Sequence, residues 1–117
     1  MVALESHQSI PFDIKRVYCI FGTQKGVSRG FHAHKKLKQV AVCMVGSCRM
    51  VLDDGEQRED VFLDSAVKGL LIEDMVWREM HDFSDDCVLL VLASEHYDEA
   101  DYIRDYVDFL KVVTENV

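Results

Sequence analysis

Short apolar runs punctuated by turn residues fill the chain as far as Ser94, and the pattern lengthens only beyond it. Residues 13–21 (DIKRVYCIF) are rich in β-branched and aromatic side chains and predict a strand. Residues 22–30 carry three glycines and predict a loop. A short strand is expected at 31–34 and a longer one at 38–45, with Gly46-Ser47 turning into another at 48–52. Asp53-Asp54-Gly55 between apolar runs is a hairpin signal, and the next strand falls within 56–63. A loop over 64–68 precedes a short buried strand at 69–72, and residues 75–81 read as a further strand. Ser84-Asp85-Asp86 is a turn. Residues 87–93 (CVLLVLA) form the most apolar segment, which places them centrally in a sheet. Ahead of all these, residues 2–5 are a candidate strand, punctuated by Pro11. After Ser94, Tyr102, Tyr106, Phe109 and Leu110 recur as on one helix face, predicting a helix over 98–110 with its acidic residues solvated.

Many short strands ending in one helix predict an all-β fold, an antiparallel sandwich or jelly roll with a short C-terminal helix. At 117 residues the chain is the size of one domain and can build a core without metal or disulfide staples. A hydrophobic content of 49% and a single proline place it among globular chains. The net charge of −8 argues against partners such as nucleic acid or an anionic membrane, which need a basic face. With no secretory signal and no apolar run of about 18 residues, a soluble, cytoplasmic protein is expected. Cys19, Cys43, Cys48 and Cys87 each lie in an apolar run and form no C-x-x-C pair. They are expected to be buried free thiols of a reducing compartment rather than a zinc site.

The candidate chemistry concentrates in Arg29-Gly30-Phe31-His32-Ala33-His34-Lys35-Lys36. In a strand, residues i and i+2 share a face, so His32 and His34 point the same way. Paired imidazoles on a rigid strand suit either metal binding or proton transfer near neutral pH. Arg16, Arg29, Lys35, Lys36 and Lys38 put five of the 13 basic residues near the pair, so a small anionic ligand is compatible with an acidic chain. Taken singly, each feature has a structural alternative. An H-x-H pair is more often simply hydrogen-bonded, lone arginines are more often surface charges, and Trp77 suits a core as well as a ligand. Tyr102, Tyr106 and Phe109 read as packing or dimer contacts, and His7, His81 and His96 as structural.

The spacing lifts the pair above that background. Gly26, five residues, His32-x-His34, four residues, Gln39, six residues and Gly46 resemble the first cupin motif, G-x5-H-x-H-x3,4-E-x6-G. Gln39 stands where metal-binding cupins carry glutamate. The stretch from Gly69 lacks the proline and glycine of the second motif, and Arg78 or Met80 stands near the place of its histidine. The likeness extends to Lys15-Arg16-Val17-Tyr18, the Arg29–Lys36 stretch, Gly46-Ser47-Cys48, Leu52-Asp53-Asp54-Gly55, Val76-Trp77 and Glu79-Met80. It continues through 88–94 and Tyr97-Asp98-Glu99-Ala100-Asp101-Tyr102-Ile103-Arg104. Together these are similar to the sugar 3,4-ketoisomerases acting on dTDP-4-keto-6-deoxyglucose, the WxcM-like cupins, from about Val2 to Leu110. The resemblance implies a single small cupin jelly-roll domain over 1–117, a homodimer with exchanged N-terminal strands, and a role in making 3-keto-6-deoxyhexoses for bacterial surface glycans. It also implies catalysis by His32 and His34 with no metal and no cofactor. Family members open with a strand ahead of the region matched by Met1-Val2-Ala3-Leu4-Glu5, so the resemblance implies either that the N-terminal strand is truncated here or that it is absent. Trp77-Arg78-Glu79 stands where many members have Trp-His-Glu, and the arginine resembles those giving the 3-keto-glucose product.

A 3,4-keto shift needs a base and an acid close together, with pKa values near the working pH, and two histidines on one strand face provide them. Ligand counting points the same way. A catalytic metal wants three or four protein ligands, and only two good ones remain. The sequence does not assign which imidazole is the base; His34 beside Lys35 is expected to sit in a positive field that keeps it neutral. Arg29 and Arg16 are candidates for the diphosphate, with Lys35 adding charge. Tyr18 or Trp77 is a candidate to stack on thymine, and Arg78 to touch the hexose or the phosphates. The expected function is therefore metal-independent isomerisation of a dTDP-linked 4-keto-6-deoxy sugar through an enediol. The rivals are a metal-dependent small cupin enzyme, a non-catalytic nucleotide-sugar-binding module, and a 3,5-epimerase of the same substrate.

Overall fold

Side chains alternate inward and outward along the strands, and two sheets close over the inward set. The structure is a computed structural model and describes residues 1–24 and 26–115. Its strands are β1 (Arg16–Ile20), β2 (Arg29–His34), β3 (Gln39–Val45), β4 (Cys48–Asp53), β5 (Arg58–Leu63), β6 (Gly69–Ile72), β7 (Trp77–His81), β8 (Val88–Ala93) and β9 (Tyr102–Ile103). One helix follows, α1 (Tyr106–Glu115). One sheet runs β1-β8-β3-β6 and the other β5-β4-β7-β2-β9, with every pair antiparallel. The apolar segment at 87–93 supplies β8, which sits between β1 and β3 as its composition predicts. Ala41, Met50, Leu63, Ile72, Met80, Leu89 and Val91 form the core between the sheets. The all-β jelly roll with a short C-terminal helix is thus observed. No helix among the described residues is long and apolar enough to cross a membrane.

Three local expectations change. First, residues 2–5 do not form a strand. The segment turns at His7 (φ +59°), and Ile10 N–H donates to the Glu5 carbonyl at 3.1 Å. Leu4, Ile10 and Phe12 then cover Val40, Val42 and Leu92 on the outer face of the four-stranded sheet. Second, Cys19 is exposed, because it takes an outward position on the edge strand β1. Third, the helix begins eight residues later than the periodicity suggests. Tyr102 and Ile103 pair with β2, opposite His34 and Ala33, and so satisfy backbone groups that would otherwise be left open at that edge. Asp105 then accepts the N–H of Asp108 through Oδ1 at 3.0 Å, as an N-cap does, and α1 follows. Its Phe109 is fully buried against Ala33, Trp77 and Ile103 on the outer face of the five-stranded sheet.

Candidate active site

The site is set by an irregularity in β2. Arg29, Gly30 and His32 lie opposite Met80, Glu79 and Arg78, so Phe31 is an extra residue in the ladder. Phe31 has φ +57° and Gly30 φ +91°. A Cβ on Gly30 would stand 3.1 Å from the Arg78 carbonyl and 3.2 Å from the Cα of Glu79, so only glycine fits the close crossing. Phe31 turns outward, edge-on to His81, and the chain resumes with His32 and His34 facing the interior. Left-handed backbone at a non-glycine residue costs about 1–3 kcal/mol. Here the surrounding ladder holds it, and the result is the aim of the imidazoles.

The two rings meet edge to face, 4.9 Å between centroids and 88° apart. His32 Nδ1 lies 3.1 Å from the Gly30 carbonyl, which can only accept. The proton is therefore on Nδ1, and Nε2 carries the lone pair. His34 Nδ1 donates to Asp101 Oδ2 at 3.1 Å, and its Nε2 is buried without a partner. Asp101 also accepts the N–H of Lys36 (2.9 Å) and of Leu37 (3.2 Å), which locks the carboxylate in place. The Tyr102 ring covers both imidazoles, at 4.3 Å from His34 and 5.0 Å from His32. The Arg104 guanidinium lies 4.1 Å from the Tyr102 ring centroid and is held by Glu99.

Beneath the pair lies a buried cation. Arg78 is wholly shielded from solvent; Nη1 donates to Gln39 Oε1 at 2.6 Å and Nη2 to the Val76 carbonyl at 3.0 Å. Gln39 Nε2 donates in turn to the Tyr18 hydroxyl at 3.0 Å. Burial and the Arg78 charge pull His32 down to about 4. The same two causes, with His32 third, lower His34 against the opposing pull of Asp101. The His34–Asp101 contact is thus a hydrogen bond of a neutral imidazole. The positive field expected from Lys35 comes instead from Arg78, since the Lys35 side chain is exposed.

The structure brings together only part of the expected ligand set. Arg16 is half-buried, its guanidinium 5.2 Å from the Tyr18 ring and 5.6 Å from that of Tyr97. It lines a cavity of about 390 Å³ with His34, Lys36, Tyr97, Asp101 and Tyr102. Lys36, not Lys35, supplies the lysine there. Arg29 is exposed and borders a separate depression beside Gly22, Thr23, Gln24 and Val27. Trp77 is not brought to the pair. Strand alternation puts it on the opposite face of β7 from Arg78, under α1, where it is 3% exposed and its Nε1 donates to Glu79. Arg78 is turned inward: Nη1 and Nη2 are bonded inside the protein, and its buried Nε has no partner. Periodicity places Asp101 and Tyr102 on a solvated or packing helix face, whereas in the structure they border the histidine pair. One signal existed: Asp98 and Asp105 are both cap residues, and Asp98 accepts the N–H of Ala100, so the segment holds two starts rather than one helix.

A cupin-type metal does not fit these residues. Of the unpartnered buried atoms at the site, Arg16 Nε, His34 Nε2 and Arg78 Nε, the imidazole nitrogen alone has a lone pair to offer a metal. Yet no third Cys, His, Asp or Glu ligand atom converges on the pair among the described residues. The Gln39 oxygen is taken by Arg78, and a buried guanidinium beside the imidazoles repels a second cation.

The depressed His32 pKa carries a stability consequence. Below about 6.5 an unfolded histidine takes up a proton that the folded one refuses until about 4. The folded state is therefore fully favoured above pH 6.5 and loses roughly 3 kcal/mol from this group as pH falls to 4. Urea unfolding at pH 7 and pH 4.5 should show a larger acid loss in the wild-type chain than in His32→Asn. Equal losses would refute a neutral, buried His32.

Fold and site together define a small cupin jelly roll that carries a pair of histidines on one strand, with His34 buried and His32 partly so. Comparison with known proteins makes the assignment specific. The family model described as FdtA: WxcM-like, C-terminal, matches residues 1–114, and the chain belongs to that family. It is 58% identical over 113 residues to the TDP-4-oxo-6-deoxy-alpha-D-glucose-3,4-oxoisomerase of Aneurinibacillus thermoaerophilus, covering 97% of this chain and 81% of that protein. The crystal structure of a 3,4-ketoisomerase from Helicobacter canadensis superposes with TM-score 0.95 at 48% identity, covering 97% of this chain and 86% of the other. That of QdtA, a sugar 3,4-ketoisomerase from Thermoanaerobacterium thermosaccharolyticum in complex with TDP, superposes with TM-score 0.96 at 46% identity, covering 99% and 85%.

Proposed function

We propose that this chain is a metal-independent dTDP-sugar 3,4-ketoisomerase that converts dTDP-4-keto-6-deoxyglucose to the 3-keto isomer. The observation that carries the reading is the pair of neutral imidazoles, each with its proton fixed on Nδ1, above a buried guanidinium. His32 is the more accessible of the two and removes the C3 proton through Nε2. Charge then develops on the C4 oxygen, and the Arg78 cation is placed to stabilise the enediolate in a site of low dielectric. His34, held by Asp101, moves the O3 hydroxyl proton to the C4 oxygen, and the protonated Nε2 of His32, after exchange with solvent, delivers a proton to C4; two protons leave and two arrive, so a hydroxy-ketone is exchanged for its isomer with no atoms gained. Arg16 suits the diphosphate, and Tyr18 suits the base or sugar face beside it, since both lie on the inward side of β1 next to the cavity. Arg29 is a second, outlying phosphate contact. The product serves the biosynthesis of deoxy and amino sugars of bacterial surface glycans, in the cytoplasm. Four unpaired cysteines support a reducing compartment. A homodimer is supported by the exposed Val17 and Phe21 on and beside the edge strand β1, which a second copy would cover.

Proton NMR of the metal-stripped protein with dTDP-4-keto-6-deoxyglucose in D₂O tests the reading. A 3-keto product with deuterium at C4 is expected. Turnover only after metal is added would favour a metal-dependent cupin, and binding without turnover a nucleotide-sugar-binding module. Arg16→Ala is expected to raise KM roughly ten- to hundredfold, the worth of a charge-assisted contact, with a smaller change in kcat. Arg29→Ala should act the same way but less, being the more exposed. An unchanged KM for both would remove them from the diphosphate site.

A further inference from the structure

At the opposite end of the core from the histidines, three cysteines that are far apart in sequence converge. Cys43 ends the buried part of β3, Cys48 opens β4 and Cys87 precedes β8. Their sulfurs all lie within 4.8 Å of one another, with 3.7 Å between Cys43 and Cys87. Each residue is at most 2% exposed. Among the described residues, the only polar contact to an atom outside the cluster is that of Cys43 Sγ with the Val45 carbonyl at 3.2 Å. Gln39 and Cys43 are four residues apart on β3, about 13 Å along the strand, so this cluster is separate from the imidazoles.

We propose that Cys43, Cys48 and Cys87 form a second site that binds one soft, trivalent, thiophilic ion through all three sulfurs. Sulfur ligands select soft ions, and the spacing needs only a small contraction to a three-sulfur shell. Charge decides the valence. A buried apolar site penalises net charge, and three thiolates around a trivalent centre are neutral, whereas around a divalent ion they leave one negative charge. Arsenous acid supplies such a centre. Three As–S bonds form, three As–OH bonds break, and each hydroxyl leaves as water with one thiol proton; no electron changes hands. Access runs through two turns that clasp over the cluster. Ser47 N–H donates to Ser84 Oγ and Ser84 N–H to the Ser47 carbonyl, both at 2.9 Å. Two hydrogen bonds are few enough to open transiently.

The test is native mass spectrometry and thermal melting of the reduced full chain with sodium arsenite, under anaerobic conditions. One adduct per chain is expected, heavier by one arsenic less three hydrogens, with a melting temperature that rises with arsenite as binding to the folded state requires. Cys19→Ser should keep both effects and Cys48→Ser should lose both. No adduct, an adduct lost in Cys19→Ser, a falling melting temperature, or tighter binding of zinc than of arsenite would each overturn the proposal. The wild-type adduct and its melting shift decide the matter even if a core cysteine variant fails to fold.

Discussion

His32→Asn is expected to lower kcat by roughly 10²- to 10⁴-fold, the usual contribution of a positioned general base. Asparagine can place its side-chain N–H where Nδ1 now donates to the Gly30 carbonyl, so the bulge and the fold survive. What it lacks is the second nitrogen, the lone pair at Nε2. KM should change little, because Arg16 and Tyr18 lie on another strand. The pH profile gives a second readout. With His32 held near 4 by burial and Arg78, kcat/KM of the wild-type enzyme should stay flat well below pH 6.5, where an ordinary histidine has already been protonated. A base of low pKa is weak, and in the proposed mechanism the compensation is the same buried cation: Arg78, which depresses the imidazole, would also stabilise the enediolate. Full activity in His32→Asn, or an acid limb at 6.5, would sink this assignment.

Asp101→Asn is the second large effect, expected to lower kcat by about 10²- to 10⁴-fold with KM nearly unchanged. The carboxylate accepts three N–H groups, from His34, Lys36 and Leu37. An amide has one accepting oxygen. If that oxygen serves the backbone, the NH₂ faces His34 and forces its proton onto Nε2, the nitrogen that must be free. Such a tautomer reversal costs about 10⁴ in a serine-protease triad. If the oxygen serves His34, the NH₂ opposes a backbone N–H, and a buried donor is left unsatisfied at about 1–3 kcal/mol. Steady-state kinetics with urea unfolding separates the two outcomes. A wild-type rate would show that Asp101 only fastens the loop after β2.

Asp101 also marks where sequence reading stopped. Tyr102, Tyr106, Phe109 and Leu110 do fall at helical spacing, yet the first of them, Tyr102, pairs with β2 together with Ile103. An unpaired strand edge is a larger cost than a few residues of lost helix, and that competition is invisible in a local window. Trp77 shows the same limit from the other side. Its type suits stacking on a nucleobase, but strand parity puts it under α1, where Phe109 and Tyr106 already fill the role of partner. Arg78 kept its charge and its place near the motif, but its guanidinium is directed inward to Gln39 rather than outward to phosphate.

The sequence by itself determined what repeats locally. Alternation and turn residues set the strands and the all-β architecture, and the i, i+2 rule put His32 and His34 on one face. The cupin-like spacing and its flanking residues pointed to the family. Only the tertiary structure decided what surrounds the pair. Tyr18, Gln39, Arg78 and Asp101 come from β1, β3, β7 and the turn before β9, and the bulge at Phe31 fixes the aim. Cys43, Cys48 and Cys87 are likewise gathered by strand order and not by spacing. The reason is physical. Periodicity reports which face a residue takes within its own strand, whereas pKa values and ligand sets depend on neighbours brought by pairing between distant segments.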